Sequence, residues 1–205
     1  MCIRDSCSTE GRPAERTEGR EQVSENPLQE IQHITVVGAG AMGSQIAMVC
    51  ALAGYDTDVV DIKQEAVDKA SEQLHSRMDR DVSKGRRTQQ DVDAAFERLT
   101  FSTDRDACAA QADFVIEAAV EDLTIKRQVF AELDAVCPEH TILATNSSNI
   151  VSSRVADATN RPEKVCNVHF FNPALVMKCV EAVSYTHLTL PTKSDECRSR
   201  WSPYH

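Results

Sequence analysis

The chain has 205 residues, 41% of them hydrophobic, and its 22 basic and 32 acidic residues give a net charge of −10. The hydrophobic fraction is enough for a packed core, and the acidic balance excludes a nucleic-acid binder, which needs a basic face for phosphates. No apolar run reaches the roughly 18–20 residues of a membrane span, and no signal peptide is visible, so no membrane partner is expected. The eight cysteines lack metal-ligand spacing, which indicates free thiols, a reducing cytoplasmic location and no metal site.

The two ends of the chain differ in character from the rest. Residues 1–6 and 183–205 resemble translations of a sequencing adapter read on opposite strands, so both are excluded from the fold prediction. Residues 7–30 hold few large apolar residues and mix Gly, Pro, Glu and Arg, which predicts a disordered leader or linker. One compact domain is therefore expected over residues 31–182.

Strand and helix patterns alternate through this domain. Short β-branched or apolar runs predict strands, and apolar residues at helical spacing predict helices. The predicted strands are residues 34–37, 57–62, 114–116, 141–144, 165–170 and 177–182, and the predicted helices are 42–53, 64–83, 88–99 (capped by Thr88) and 122–136, the last with Ile125, Val129, Phe130 and Leu133 facing inward. Such alternation indicates an α/β, Rossmann-type doubly wound, mostly parallel sheet with helices on both faces.

A glycine-rich turn follows the first predicted strand. Gly38, Gly40 and Gly43 fit the pattern G-x-G-x-x-G between a strand and a helix. This arrangement places a dinucleotide pyrophosphate at a helix N-terminus. Ala41 and Met42 stand between the last two glycines, so they are predicted to contact the cofactor as well.

Asp61 ends the second predicted strand, 23 residues after Gly38. A carboxylate there can accept hydrogen bonds from the adenosine ribose hydroxyls and would repel a 2′-phosphate, so it selects NAD over NADP. The neighbouring Lys63 could soften this preference. Two alternatives stay open: an FAD enzyme, which shares the first half of the fingerprint, and a plain glycine turn beside a surface Asp.

Three further segments contain or directly follow the end of a predicted strand. They are DFVIEAAVEDLTIK (113–126), TNSSNI (145–150) and HFFNPALVMKCVE (169–181). Ligands in doubly wound sheets bind beyond the carboxyl ends of strands, so these segments should converge on the cofactor. Together with GAGAMG they resemble the N-terminal, NAD-binding domain of the 3-hydroxyacyl-CoA dehydrogenase family, which includes the 3-hydroxybutyryl-CoA dehydrogenases. The resemblance covers about residues 31–182, and HFFNP with a Glu twelve residues after its His is its most specific part.

The chemistry of alcohol oxidation independently suits three of these residues. The hydroxyl proton needs a base, and histidine, whose ordinary titration lies near neutral pH, makes His169 the candidate. Glu181 is expected on the adjacent strand, where it would orient the imidazole and stabilise the imidazolium, as the Asp of a Ser-His-Asp triad does. Ser148 can donate a hydrogen bond to the substrate oxygen.

The family resemblance implies further roles. Asn172 is similar to the family's Asn near the nicotinamide and the substrate, while Glu121 and Lys126 match positions on the nicotinamide side of the cofactor, and Asn146 is assigned to the same cofactor site. The implied reaction is NAD-dependent oxidation of an L-3-hydroxyacyl-CoA to a 3-oxoacyl-CoA in fatty-acid or butanoate metabolism. The family's all-helical C-terminal domain, expected to be missing here, would complete the site and form a homodimer.

Each of these residues also has a plain structural alternative. His169 could be a satisfied core histidine, Glu181 a surface strand residue, Ser148 a helix cap and Lys126 a solvated helix residue. Two other functions stay open as well, namely a sugar-acid dehydrogenase of the gulonate type and a dinucleotide-binding module without catalysis. A pure binder does not need the His169 and Glu181 side chains within hydrogen-bond distance, so their separation discriminates between the hypotheses.

Overall fold

The protein is described here by a computed structural model covering residues 31–177 and 179–183. Within these residues lie seven strands: β1 His33–Val37, β2 Asp56–Val60, β3 Leu99–Ser102, β4 Phe114–Glu117, β5 Ile142–Thr145, β6 Val165–Phe170 and β7 Val180–Val183. The same residues form six α-helices: α1 Ala41–Leu52, α2 Gln64–Ser83, α3 Gln89–Glu97, α4 Arg105–Ala109, α5 Leu123–Val136 and α6 Ser153–Ala156. The predicted leader (7–30) and most of the adapter-like residues (1–6 and 184–205) lie outside the described residues.

The strands form one sheet in the order β3-β2-β1-β4-β5-β6-β7. The first six are parallel, and β7 runs antiparallel to β6 at the edge. The chain winds outward from β1 in one direction and then, from β4 onward, in the other. This confirms the predicted Rossmann-type sheet and creates a crevice at the carboxyl end of β1, where the winding reverses.

The core lies on both faces of this sheet. Neighbouring strand residues alternate between the faces because the side-chain period of a strand is two. One core packs Ile34, Val36, Val59 and Ile116 against helices α1 to α3, and the other packs Val37, Val60, Val115, Leu143 and Val165 against α4 to α6. Strands covered on both faces explain the unbroken apolar runs in the sequence.

Several boundaries differ from the sequence prediction. Thr88 caps α3 as predicted, and its side chain accepts from the Asp91 N–H at 3.1 Å. The helix ends at Glu97 rather than near Leu99. Leu99 instead starts β3, a four-residue edge strand that was not predicted because it is too short to show a period. The short helix α4, capped by Asp104, was missed for the same reason. The last strand starts at Val180, not residue 177, and reaches Val183, one residue past the predicted domain boundary.

The inward face predicted for α5 was partly wrong. Ile125 is 44% exposed, whereas Lys126 is 1% exposed. The helix is turned this way because the Lys126 ammonium pairs with the Glu117 carboxylate at the end of β4. The alternative of a solvated Lys126 is therefore excluded, while Phe130 and Leu133 are buried as predicted.

The cysteines of the described residues are free thiols, as predicted: Cys50, Cys108, Cys137, Cys166 and Cys179. Burial raises the pKa of the Cys50 thiol to about 12 and that of the Cys166 thiol to about 11. Both therefore stay protonated at neutral pH and serve as small apolar groups.

None of the described helices is both long and apolar enough to cross a membrane.

Candidate active site

The glycine turn is built by close backbone contacts. Gly38 has a φ of 108°, in the left-handed region, and its N–H donates to the Val60 carbonyl at 2.7 Å. A Cβ on Gly38 would lie 2.8 Å from the Ala118 carbonyl oxygen, and one on Gly43 would lie 1.8 Å from the Gly38 carbonyl oxygen. Only glycine fits at these two positions, because the Ala118 backbone packs against Gly38 and α1 packs directly on the turn at Gly43.

The N-terminus of α1 is open toward the crevice. Gly40 is its N-cap, no side chain caps the helix, and its first turn holds no acidic residue. A Cβ on Gly40 would meet nothing within 4 Å, so space remains above the loop. The backbone N–H groups of Ala41, Met42 and Gly43 stand in this first turn, where the helix dipole favours an anion. The turn therefore fits a pyrophosphate.

Asp61 lies directly after β2, beside the same turn. Its Oδ2 accepts from the Ala39 N–H at 3.0 Å and its Oδ1 from the Lys63 N–H at 3.1 Å. The carboxylate lines a cavity of about 650 Å³ that extends from Gly38 and Gly40. Its remaining lone pairs are available for two ribose hydroxyls.

The walls of this cavity carry apolar side chains that the sequence did not assign to the cofactor site. Ile62 is 87% exposed, Val120 59% and Ile125 44%, and all three line the cavity. Large exposed apolar side chains around a cleft indicate a ligand with a flat apolar part, such as a purine base. The only sequence signal was their position just beyond strands or in the first turn of a helix.

His169 lies between two side chains at the carboxyl end of β6. The strand register pairs His169 with Glu181 on β7, and the His169 Nδ1 lies 3.4 Å from the Glu181 Oε2. The His169 Nε2 lies 2.9 Å from the Ser148 Oγ. With the proton on Nδ1 donated to the carboxylate, the Nε2 lone pair accepts from the Ser148 hydroxyl. Asn172, exposed in the segment after β6, lies three residues beyond His169.

The segment after β5 is held in place by two side chains. The Asn146 Oδ1 accepts from the Phe170 N–H at 2.8 Å, so this oxygen ties the segment after β5 to β6, and the amide nitrogen of Asn146 stays available for a cofactor. The Ser147 Oγ accepts from the Ile150 N–H at 2.7 Å. Ser148 is not a helix cap, the alternative given for it, since the next helix, α6, has Ser152 at its N-cap. The Ser148 hydroxyl instead faces His169.

Glu121 connects this segment to α5. Its Oε1 accepts from the Ser147 hydroxyl and from the Asn149 N–H, and its Oε2 lies 3.5 Å from the Lys126 Nζ. Partial burial alone would raise the pKa of Glu121, but the Ser147 and Asn149 hydrogen bonds and the Lys126 charge outweigh it and lower that pKa. Glu121 is therefore ionised at neutral pH.

The geometry brings the predicted residues to one edge of the sheet. The glycine turn, Asp61 and the 145–150 segment follow parallel strands β1, β2 and β5, so they share an edge with His169 on β6.

Comparison with known proteins agrees with this layout. Residues 33–194 match the family model described as "3-hydroxyacyl-CoA dehydrogenase, NAD binding domain". The chain belongs to this family. NAD is accordingly the cofactor of the domain.

Individual members of the 3-hydroxyacyl-CoA dehydrogenase family show how far the similarity extends. A probable 3-hydroxybutyryl-CoA dehydrogenase of Bacillus subtilis (strain 168) is 42% identical over 154 residues, which are 75% of this chain and 53% of that protein. A 3-hydroxyadipyl-CoA dehydrogenase of Escherichia coli (strain K12) is 44% identical over 154 residues, 75% of this chain and 32% of that protein. The crystal structure of 3-hydroxybutyryl-CoA dehydrogenase from Escherichia coli K12 has a TM-score of 0.73 at 43% identity, covering 75% of this chain and 32% of that one. The chain thus spans about half, or less, of the length of these relatives.

Proposed function

We propose that the protein containing this domain oxidises an L-3-hydroxyacyl-CoA to a 3-oxoacyl-CoA with NAD. The observation that carries the proposal is the position of the His169 imidazole, between the Ser148 hydroxyl and the Glu181 carboxylate. These three side chains lie at the same edge of the sheet as the glycine turn. The names of the relatives, 3-hydroxybutyryl-CoA and 3-hydroxyadipyl-CoA dehydrogenase, support an acyl-CoA as the substrate.

In this proposal each side chain has one task in the proton transfer. When bound, NAD supplies the acceptor for the hydride of the alcohol carbon. The His169 Nε2 accepts the hydroxyl proton of the substrate, and Ser148 donates to the same oxygen as negative charge develops on it. Glu181, at 3.4 Å from Nδ1, stabilises the imidazolium that forms. In the reverse direction, His169 returns the proton to the forming alkoxide.

The remaining predicted site residues hold the cofactor and the substrate. The first-turn N–H groups of Ala41, Met42 and Gly43 bind the pyrophosphate, and Asp61 binds the adenosine ribose. Glu121 and the Asn146 amide lie toward the nicotinamide, and Asn172 lies beside the substrate. Lys126, 1% exposed, reaches this region through Glu121, with which its ammonium interacts at 3.5 Å.

We further propose a cytoplasmic location and a homodimer formed through a helical C-terminal domain. Three exposed apolar residues support a covering domain: Val176 is 52% exposed, Met177 44% and Val180 46%. They flank the active-site strands β6 and β7, where Glu181 is itself largely exposed. A covering domain would remove water from the His169–Glu181 pair and strengthen it.

The alternatives have less support. A binding module without catalysis does not require His169 and Glu181 at 3.4 Å with Ser148 on the opposite ring nitrogen. A sugar-acid dehydrogenase on the same domain finds no support in the relatives reported above, whose names specify acyl-CoA substrates. An FAD enzyme is disfavoured by the match to an NAD-binding domain.

The test compares the 205-residue chain with a fusion that adds the C-terminal part of the Bacillus subtilis relative. Acetoacetyl-CoA-dependent oxidation of NADH is followed by absorbance. We expect NADH binding but almost no turnover by the chain alone, because a substrate that is not held near the reacting atoms forgoes up to about 7–11 kcal/mol of the rate acceleration. The fusion should be active, and His169→Gln in the fusion should abolish turnover with little change in the NADH Kd.

His140 provides a matched control. Its Nε2 contacts the Asp113 carboxylate at 2.9 Å, also in a His–carboxylate pair, at the opposite edge of the sheet. His140→Gln in the fusion should keep full turnover. Equal loss in the two variants, or an active fusion with His169→Gln, would contradict the assignment of the base.

A further inference from the structure

A buried ion pair lies directly beneath the proposed active site. Glu117, at the end of β4, is 0% exposed and Lys126, in α5, is 1% exposed. The Lys126 Nζ donates to both carboxylate oxygens of Glu117, at 2.8 and 2.7 Å. The same carboxylate also accepts from the Ala119 N–H at 2.7 Å and the Thr145 hydroxyl at 2.8 Å. Both charges are thus paired and hydrogen-bonded, as burial demands.

One branch of this network reaches the glycine turn. Ala119 follows Ala118, whose N–H donates to the Val37 carbonyl at 2.8 Å and whose carbonyl oxygen lies where it excludes a Cβ on Gly38. The Glu117 carboxylate therefore fixes the backbone that closes over the pyrophosphate site. The Glu117 backbone carbonyl accepts from the Asn146 N–H at 2.8 Å, which ties Glu117 to the segment after β5.

The other branch reaches Ser148. The Lys126 ammonium lies 3.5 Å from the Glu121 Oε2, while the Glu121 Oε1 accepts from Ser147 and Asn149. These two residues flank Ser148 on either side. Rotation of the Glu121 carboxylate away from Lys126 would release both hydrogen bonds and, with them, the loop that carries the Ser148 hydroxyl.

We infer that Glu117 and Lys126 are positioning residues. Through Ala119 and Glu121 they fix the position of the glycine-turn backbone relative to the loop that carries Ser148. Neither side chain is exposed to the cofactor. A buried ion pair adds little net stability over an apolar pair of the same size, so its value here lies in fixing geometry. The inference rests on the proposed function only through NAD binding and the role of Ser148.

The main test is the double variant Glu117→Gln/Lys126→Met in the full chain. It removes both charges together, so neither is left buried and unpaired, and the Gln oxygen can still accept from Ala119. We expect a Tm close to that of the unchanged chain, an NADH Kd raised about tenfold, and amide exchange at Asn149 accelerated about tenfold. The Asn149 amide contacts neither substituted side chain, so a merely structural role of the pair would leave it unchanged.

A single variant keeps the test decisive if the double variant does not fold. Glu121→Gln changes a side chain that is 39% exposed, so folding is not at risk. It should reproduce the faster exchange at Asn149.

A second ion pair, with its carboxylate on the same helix, serves as the control. Asp134 and Arg161 have side chains 4% and 13% exposed and an Oδ1–Nε distance of 2.6 Å. Asp134→Asn/Arg161→Met should lower the Tm, because Arg161 also donates to the backbone carbonyls of Asp134, Cys137 and Pro138. It should leave the NADH Kd and Asn149 exchange unchanged. An unaltered Kd and unaltered Asn149 exchange in the folded main variants would overturn the inference alone. Absence of NADH binding by the unchanged chain would refute both the inference and the proposed function.

Discussion

The Ser148 hydroxyl oxygen lies 2.9 Å from the His169 Nε2, although 21 residues separate them in the chain. Ser148 follows β5 and His169 belongs to β6, and these strands are parallel neighbours. The segment between them carries α6 and returns the chain to the same edge of the sheet. The hydrogen bond therefore results from the parallel crossover, and it places a donor where a substrate oxygen would meet the imidazole.

Ser148→Ala should lower kcat in the fusion enzyme while leaving NADH affinity within about twofold. Removing one donor to a developing oxyanion typically costs about 10²–10³ in kcat. The exposed hydroxyl contributes little to folding, so the Tm should not change. Acetoacetyl-CoA reduction and NADH titration measure the two effects. Ser153→Ala, also exposed on the next helix, is the control, and an equal kcat loss there would refute the role of Ser148.

Asp61→Ala should reduce the discrimination between NAD and NADP. We expect the unchanged chain to prefer NAD at least about tenfold, since hydrogen bonds to a charged group are worth about 1.5–3 kcal/mol. The variant should bring the two affinities within about threefold, because the repulsion of the 2′-phosphate is gone. Calorimetric titration with both cofactors measures this. Asp56→Ala, at the other end of β2, should leave the preference intact, and equal affinities in the unchanged chain would contradict the prediction.

Alanine at two glycines of the same turn should have opposite consequences. Gly43→Ala places a Cβ 1.8 Å from the Gly38 carbonyl oxygen, so folding stability should fall by about 1–3 kcal/mol or more. Gly40→Ala meets no protein atom within 4 Å. It should keep the Tm but weaken NADH binding, because the new methyl occupies the space of the pyrophosphate. Thermal unfolding and NADH titration separate the two, and a stable Gly43→Ala protein would refute the packing argument.

Asp134 should contribute to acid stability. Partial burial alone would raise its pKa, but hydrogen bonds from the Asn160 N–H and the Arg161 guanidinium outweigh it and lower that pKa below the ordinary 3.8. A carboxyl with a depressed folded-state pKa stabilises the fold above its unfolded pKa, and the contribution is lost as the pH falls through the folded value. Asp134→Asn should therefore be less stable at pH 7. The stability difference from the unchanged chain should shrink as the pH drops below about 4.

Urea unfolding at several pH values measures this difference. Asp79→Asn, a change of an exposed carboxylate on α2, provides the control and should leave the pH profile unchanged. A constant gap between the Asp134→Asn protein and the unchanged chain down to pH 3 would contradict the assignment.

The sequence by itself determined the fold class and the glycine turn between β1 and α1. Unbroken β-branched runs such as Ile34–Val37 are needed only by strands covered on both faces, and Gly43 is constrained by local contact with the Gly38 backbone. Such features depend on a few neighbouring residues, so they can be read from the chain. His169 and Glu181 were predicted as partners from the family resemblance and an expected adjacent strand, and the strand register pairs them.

Only the tertiary structure decided the role of Lys126 and Glu117. On the sequence, Lys126 was a cofactor contact or a solvated lysine, and Glu117 carried no assignment. Their burial depends on how α5 is turned against β4, which also exposes Ile125 to the cavity. The free energy of a buried charge depends on every partner around it, here Thr145 and the Ala119 N–H from separate segments. No local pattern encodes that set of partners, and so the structure alone assigns the pair.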